Sequence, residues 1–253
     1  MPYPTIVNRE GYLKRIRFEG KAEPNLANLS AMQRAHLTAV PFENLEIIHR
    51  TPLRFDVDSL FEKIVTRRRG GYCYELNTLF GALLADVGFT VSIISARVAV
   101  EDGGFGPPFD HMALLVHLGG TWLVDVGFGS SAITPLQLVI NEPQARDSQL
   151  YRIVERDAEY AMQCHRDGEW KDEYLFDLAP RTIGDFQTMM KHHQTSPASH
   201  FTKNTIVTIP TPGGRLTISG RRLITTRGDA RIEEELNEER YRNVLATYFG
   251  IVD

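Results

Sequence analysis

Covalent chemistry in this chain of 253 residues would fall to its two cysteines, eight histidines and thirty-two acids. Cys73 has the most suggestive surroundings. It lies in Arg69-Gly70-Gly71-Tyr72-Cys73-Tyr74-Glu75-Leu76-Asn77, and after it Leu76, Leu79, Phe80, Leu83, Leu84 and Val87 recur at helical spacing until Gly88 ends the pattern as a C-cap would. This spacing predicts a helix that begins at Cys73. Unpaired N–H groups and the positive end of the helix dipole favour thiolate over thiol there, and Arg69 adds positive charge nearby. The competing reading is a small buried apolar residue, so a partner is needed to decide.

A nucleophilic thiol requires a base, and the base requires a third group to fix its tautomer. Most of the histidines lie inside helices or in later segments, but His111 stands at the mouth of the Gly- and Pro-rich loop 101–110 and heads a probable strand. Asp125 lies in the apolar run Trp122-Leu123-Val124-Asp125-Val126-Gly127-Phe128-Gly129, where a buried carboxylate is costly unless something pairs with it. Taken singly, His111 reads as a loop residue and Asp125 as a strand-end hydrogen bonder. With Cys73 they form a nucleophile, base and acid set. No Cys-x-x-Cys or His-x-x-x-His spacing points to a metal.

This set carries a geometric condition. Strands 111–118 and 122–126 flank Gly119-Gly120 as a probable hairpin, and His111 and Asp125 are an even number of positions apart. Side chains alternate across a strand, so without a bulge the two share a face only if the loop holds an odd number of residues. A two-residue Gly-Gly turn would separate them. The expectation is a three-residue loop, most simply a type I turn with a G1 bulge, or a bulge elsewhere in the arms.

Helical patterns come first along the chain: 9–18, 30–39, a segment through Ile64 and Val65 capped by Asp58, and 73–87. Strand patterns follow at 91–100, 111–118, 122–126, 151–154, 160–165, 205–210 and 216–219, with helices at 183–192 and at 238–249, the latter capped by Asn237. In the loop before His111, Gly103, Gly104 and Gly106 could let backbone N–H groups approach a phosphate, although a plain connector fits equally well. The formal net charge of -4 gives no general reason to expect nucleic acid, and Arg67-Arg68-Arg69 is too short a cluster to change that. Cys73 and Cys164 are too far apart to suggest a structural disulfide. The start Met1-Pro2-Tyr3-Pro4 lacks the apolar core of a signal peptide, and no apolar run reaches a membrane span. A cytoplasmic protein with no membrane partner is expected.

The Arg-Gly-Gly-x-Cys-x-Glu run at 69–75, the Pro41-Phe42-Glu43-Asn44 turn, His111 heading a strand and Asp125-Val126-Gly127-Phe128-Gly129 together resemble the arylamine N-acetyltransferase family. Gln194-Thr195-Ser196-Pro197 and Ser199-His200-Phe201 extend the likeness over nearly the whole chain. The resemblance implies an α+β fold: an N-terminal helical bundle (1–89) carrying the nucleophile, a central antiparallel β-barrel (90–190) carrying His111 and Asp125, and a C-terminal α/β lid (191–253), with a papain-like thiol enzyme core. The element order read from periodicity agrees. It further implies acetyl transfer from acetyl-CoA to an arylamine, arylhydrazine or arylhydroxylamine by a ping-pong route through acetyl-Cys73, with no metal. Phe42, Val98, Phe128 and Phe201 match positions that line the acceptor pocket. Arg69 and Glu43 match a structural pair. The rival reading is a thiol hydrolase or transglutaminase-like enzyme that passes the acyl group to water or lysine with the same triad.

Overall fold

Asparagine and aspartate side chains start the helices of the first third. Asn8 accepts the N–H of Gly11 at 2.8 Å to open α1 (Arg9–Arg15), and Asn25 accepts that of Asn28 at 2.9 Å to open α2 (Leu26–Ala39). The first turn of α2 precedes the apolar stripe from which a start at Ser30 was expected. After the two-residue β1 (Phe42–Glu43) and the single turn α3 (Leu45–Ile48), α4 (Val57–Phe61) continues into a π-helical turn, Glu62–Thr66. Its cap is Asp56, not Asp58. Asp56 has extended backbone and accepts the N–H of Ser59 at 2.9 Å, whereas Asp58 is already inside the helix.

The computed structural model describes residues 3, 6, 8–100, 103–228 and 230–252. Met1, Pro2 and Pro4 of the N-terminal reading, and Glu101-Asp102 of the loop before His111, lie outside the described residues. At the centre is α5 (Cys73–Val87), in which only Ala85 and Asp86 escape burial. It ends at Gly88, whose φ of 108° is the left-handed cap the sequence predicts. Its start is wedged tightly against the preceding turn, since a Cβ on Gly70 would meet the carbonyl oxygen of Pro41 at 2.1 Å.

Eight antiparallel strands follow: β2 (Thr90–Val98), β3 (His111–His117), β4 (Thr121–Val124), β5 (Leu136–Gln137), β6 (Gln144–Arg146), β7 (Gln149–Arg156), β8 (Glu159–Arg166) and β9 (Glu169–Phe176), in spatial order β5-β4-β3-β2-β9-β8-β7-β6. The sheet curls into a nearly closed barrel. Its two edges meet through side chains of β6: the N–H of Gln137 donates to Oε1 of Gln144, Nε2 of Gln144 donates to the carbonyl of Gln137, and Nε of Arg146 donates to the carbonyl of Pro135, each at 2.8 Å. An amide side chain thus supplies the bonds that another strand would have made. The barrel interior is apolar, with Ile94, Ala113, Leu115, Ile153, Met162, Tyr174 and Phe176 among its residues. The alternate residues of β3, Met112, Leu114 and Val116, pack with α5, which is why this strand is buried on both faces.

The remaining chain forms α6 (Gln187–Thr195), entered through a 3₁₀ turn at Ile183–Phe186, and a second sheet of β10 (Ile206–Thr211), β11 (Gly214–Ser219), β12 (Arg222–Arg227) and β13 (Ala230–Glu235). β1 completes this sheet beside β10. α7 (Glu238–Val244) is capped by Asn237 as expected and packs on one face of it. β13 escapes a sequence reading because every described side chain in it is exposed and no alternation survives. No helix among the described residues is long and apolar enough to cross a membrane.

Candidate active site

The hairpin satisfies the parity condition. His117 pairs with Thr121 and Leu114 with Val124, leaving Leu118-Gly119-Gly120 as a three-residue loop. The turn is not the type I turn with a G1 bulge, because both Gly119 (φ 58°) and Gly120 (φ 155°) have positive φ and the N–H of Leu118 closes onto the carbonyl of Gly120 at 2.8 Å. Two consecutive glycines make that conformation accessible.

His111 and Asp125 therefore face the same side. Nε2 of His111 lies 2.7 Å from Oδ2 of Asp125, and both residues are buried. This leaves Nδ1 for the Cys73 thiol, and the two side chains are close enough for each to shift the other's protonation. The other oxygen of Asp125, Oδ1, accepts from Asn77 Nδ2 at 2.9 Å and from the N–H groups of Gly127 and Phe128 at 2.8 and 3.1 Å. Asn77 also donates to the carbonyl of Met112 at 2.7 Å and accepts from the N–H of Val126 at 3.0 Å. One helical turn after Cys73, it fastens α5 to the strands that carry His111 and Asp125. In the sequence Asn77 is marked for this role only as an amide four positions from Cys73 in a mostly apolar helix.

Burial alone would make His111 less basic and is the largest single influence on it. The charge and hydrogen bond of Asp125, with the contribution of Cys73, outweigh it and push the imidazole up to about 10. For Cys73, burial is again the largest influence and pushes the thiol up, opposed by His111 and by the backbone N–H of Met112. This corrects the expectation that the helix start and Arg69 would favour the thiolate. Arg69 is directed instead at Glu43, at 3.2 Å, while the second oxygen of Glu43 accepts the N–H of Leu45 at 2.6 Å. That ion pair ties the turn before α5 to β1. A neighbouring buried cation, Lys63, bridges Glu75 at 2.7 Å and Glu46 at 2.9 Å, and Glu75 reaches back to the N–H of Tyr72 at 3.2 Å. With the thiol costly to ionise alone, the two titrate as a pair: the high His111 value, raised in part by Cys73 itself, describes an imidazolium that holds the proton beside the sulfur.

Aromatic rings pack against His111 and against Tyr72, the neighbour of Cys73. Phe128 lies 5.3 Å from the His111 ring and 5.2 Å from Tyr174, and Val98 pairs with Tyr174 across β2 and β9. Phe42 and Phe201 lie 6.1 Å apart, the latter 5.8 Å from Tyr72. Phe42, Val98 and Phe128 are half-buried and Phe201 is buried. The segment after Asp125 presses on Cys73, since a Cβ on Gly127 would stand 2.6 Å from Cys73 Cα. Gly103 and Gly104 are exposed, and the N–H groups of Gly103 and Gly106 donate to the carbonyls of Val100 and Val98 at 3.1 and 2.8 Å. No group of three or more His, Cys, Asp or Glu among the described residues is arranged to hold a metal.

Residues 25–252 match the N-acetyltransferase family. The arylamine N-acetyltransferase of Mycolicibacterium smegmatis is 36% identical over 228 residues, which cover 87% of this chain and 82% of the relative. That of Escherichia coli (strain K12) is 33% identical, covering 82% and 75%. Among solved structures, the arylamine N-acetyltransferase from M. tuberculosis has a TM-score of 0.91 at 31% identity, with 96% of this chain and 94% of that one covered. The Mycobacterium marinum arylamine N-acetyltransferase in complex with CoA has a TM-score of 0.90 at 32% identity, covering 96% and 93%. With the family matched over almost its whole length and the fold shared with solved members, the chain belongs to the arylamine N-acetyltransferase family.

Proposed function

We propose that the protein moves an acetyl group from acetyl-CoA to the nitrogen of an arylamine, arylhydrazine or arylhydroxylamine by a ping-pong mechanism, in the cytoplasm. In the first half-reaction His111 holds the proton given up by Cys73 while Sγ attacks the thioester carbonyl. The bond from the carbonyl carbon to the CoA sulfur breaks, and that sulfur leaves with the proton from His111. In the second, the amine attacks acetyl-Cys73, the new C–N bond replaces the C–Sγ bond, and the nitrogen proton passes to His111 and back to the thiolate. Asp125 holds Nε2 throughout, so that Nδ1 alone faces the chemistry. One thioester replaces another at little cost, and a free aromatic amine is mostly unprotonated near neutral pH.

The observation that carries this reading is the buried line from Cys73 through His111 to Asp125, in a chain of this family. Phe42, Val98, Phe128 and Phe201 would wall the acceptor pocket, where flat apolar surfaces suit an aromatic ring and exclude water. Gly103, Gly104 and Gly106 would border the donor. The test is to mix the protein with acetyl-CoA without amine and follow thiol release. The expected outcome is one burst followed by a stalled acetyl-Cys73 enzyme, visible by mass spectrometry and absent in Cys73→Ser. Continuous turnover in plain buffer would favour the hydrolase and overturn the transferase.

A further inference from the structure

One histidine that the chemistry leaves aside, His193, is buried against both halves of the site. It stands in the last turn of α6 and is 3% exposed. Its ring lies 6.0 Å from that of Tyr74 and meets Phe201 edge-on at 5.0 Å. Nε2 lies 3.3 Å from both the carbonyl oxygen and Oδ1 of Asp110, and Nδ1 lies 3.3 Å from Oγ of Ser199. With a proton on Nε2, the ring donates to Asp110 and accepts the Ser199 hydroxyl, so both nitrogens are satisfied.

Each partner leads to a different part of the site. Asp110 is joined directly to His111, and the chain just before it is strained: Phe109 has a φ of 66°, rare for a bulky side chain. Such strain persists only where the surroundings hold it. Tyr74 donates its hydroxyl to the carbonyls of Phe109 and Asp110 at 2.7 and 3.2 Å, Ser95 accepts the N–H of Phe109 at 3.0 Å, and His193 adds its hold on Asp110. Ser199 caps the turn His200–Thr202 by accepting the N–H of Phe201 at 3.2 Å. One imidazole thus connects the segment that presents His111 to the turn that presents a wall of the proposed acceptor pocket. Both keep other anchors, Tyr74 on the first and Asn44 on the second, which donates to the carbonyl of Phe201 at 2.8 Å, so neither depends on the ring alone.

We propose that His193 is a positioning residue with two separable links: through Asp110 it sets His111 against Cys73, and through Ser199 it sets Phe201 in the acceptor pocket. Its consequence for the second half-reaction rests on the acetyl-transfer reading above, because there the amine must meet acetyl-Cys73, the His111 ring and the Phe201 wall together. A buried group shared by both segments keeps them within the narrow tolerance that attack and proton transfer require.

The test separates the two links with two amides. In His193→Gln the side-chain amide reaches the place of Nε2 and keeps Asp110 but not Ser199; in His193→Asn it reaches the place of Nδ1 and keeps Ser199 but not Asp110. Alkylation of Cys73 by iodoacetamide is followed in each variant, alone and with aniline as competitor. His193→Asn is expected to slow alkylation by about threefold to tenfold, the range of one lost hydrogen bond, with protection by aniline retained. His193→Gln should do the reverse, alkylating at nearly the native rate but needing about threefold to tenfold more aniline for half protection. Ser199→Ala should match His193→Gln and add nothing to it in the double variant. In transfer assays the same split should appear as a slower acetylation burst in His193→Asn and a raised KM for the amine in His193→Gln. Equal losses by both variants on both readouts would mark a ring that merely supports the fold and overturn the proposal, as would native behaviour in both. Failure of the native protein to acetylate any amine while the alkylation split holds would overturn the acetyl-transfer reading alone.

Discussion

His36 and His111 are both buried, and each ring packs among aromatic neighbours, yet they are driven in opposite directions. In α2, His36 has the ring of Phe80 at 5.2 Å, the hydroxyl of Tyr12 at 2.8 Å from Nδ1, and no partner for Nε2 among the described residues. Burial, with the charge of Arg15 adding to it, lowers its pKa to about 3. His111 suffers the same burial but holds Asp125 at 2.7 Å and rises to about 10. Burial sets the scale of the shift, and one carboxylate sets its sign. The helical interior keeps a neutral ring as packing material; the site keeps a ring ready to hold a proton.

The hardest test of this contrast is Asp125→Asn. It should leave His111 in an environment more like that of His36 and lower acetyl transfer by about a thousandfold or more, as tautomer and charge are both lost. Steady-state rates check this, and a fall of less than tenfold would break the comparison.

Stability against pH should show the same contrast at opposite ends. The stability contributed by protonated His111 is fully present below its unfolded value near 6.5 and is lost as pH rises through about 10. For neutral His36 it is present above 6.5 and lost as pH falls toward about 3. Urea midpoints of the native protein should therefore decline at both ends. His36→Gln should flatten only the acid limb, by on the order of 2–3 kcal/mol between pH 7 and 4, and Asp125→Asn should flatten the alkaline limb while steepening the acid one, since His111 then becomes a buried neutral ring like His36. A changed alkaline limb in His36→Gln, or a flattened acid limb in Asp125→Asn, would refute the assignment.

Asn77→Ala sharpens the comparison further, because it removes a donor from Asp125 Oδ1 and the acceptor of the Val126 N–H. It should cost about 1–3 kcal/mol of stability and weaken transfer less than Asp125→Asn does. The smallest effect belongs to Cys164→Ser. Cys164 is buried in β8 and its thiol too is pushed up by burial, with Arg166 rather than a histidine opposing the shift. An arginine can steady a thiolate but cannot take and return its proton. Activity should stay within about twofold, and iodoacetamide should reach Cys73 first; prior loss of Cys164 in peptide mapping would contradict this.

Much of the site was legible because it follows from local rules. The helix beginning at Cys73 and ending at Gly88 follows from apolar spacing and a left-handed cap. The three-residue loop follows from parity, since strand alternation alone demands an odd count once His111 and Asp125 are required on one face. Asn237 caps α7 as read. Errors arose where local signals were silent or doubled: two aspartates competed for the start of α4, and exposed β13 had no apolar rhythm.

The amino-acid order by itself thus singled out Cys73, His111 and Asp125, and the parity that lets two of them meet. Only the tertiary structure decided how they behave. Asn77 and Asp125 are 48 positions apart and meet because α5 packs on β3, and Phe42 comes beside Thr208 because β1 joins a sheet formed much later in the chain. The direction of the Cys73 shift also belongs to the fold. Helix position and neighbouring charge are written in the sequence and favour the thiolate, but desolvation depends on what covers the residue, and here Gly127 and the barrel cover it closely enough for burial to prevail.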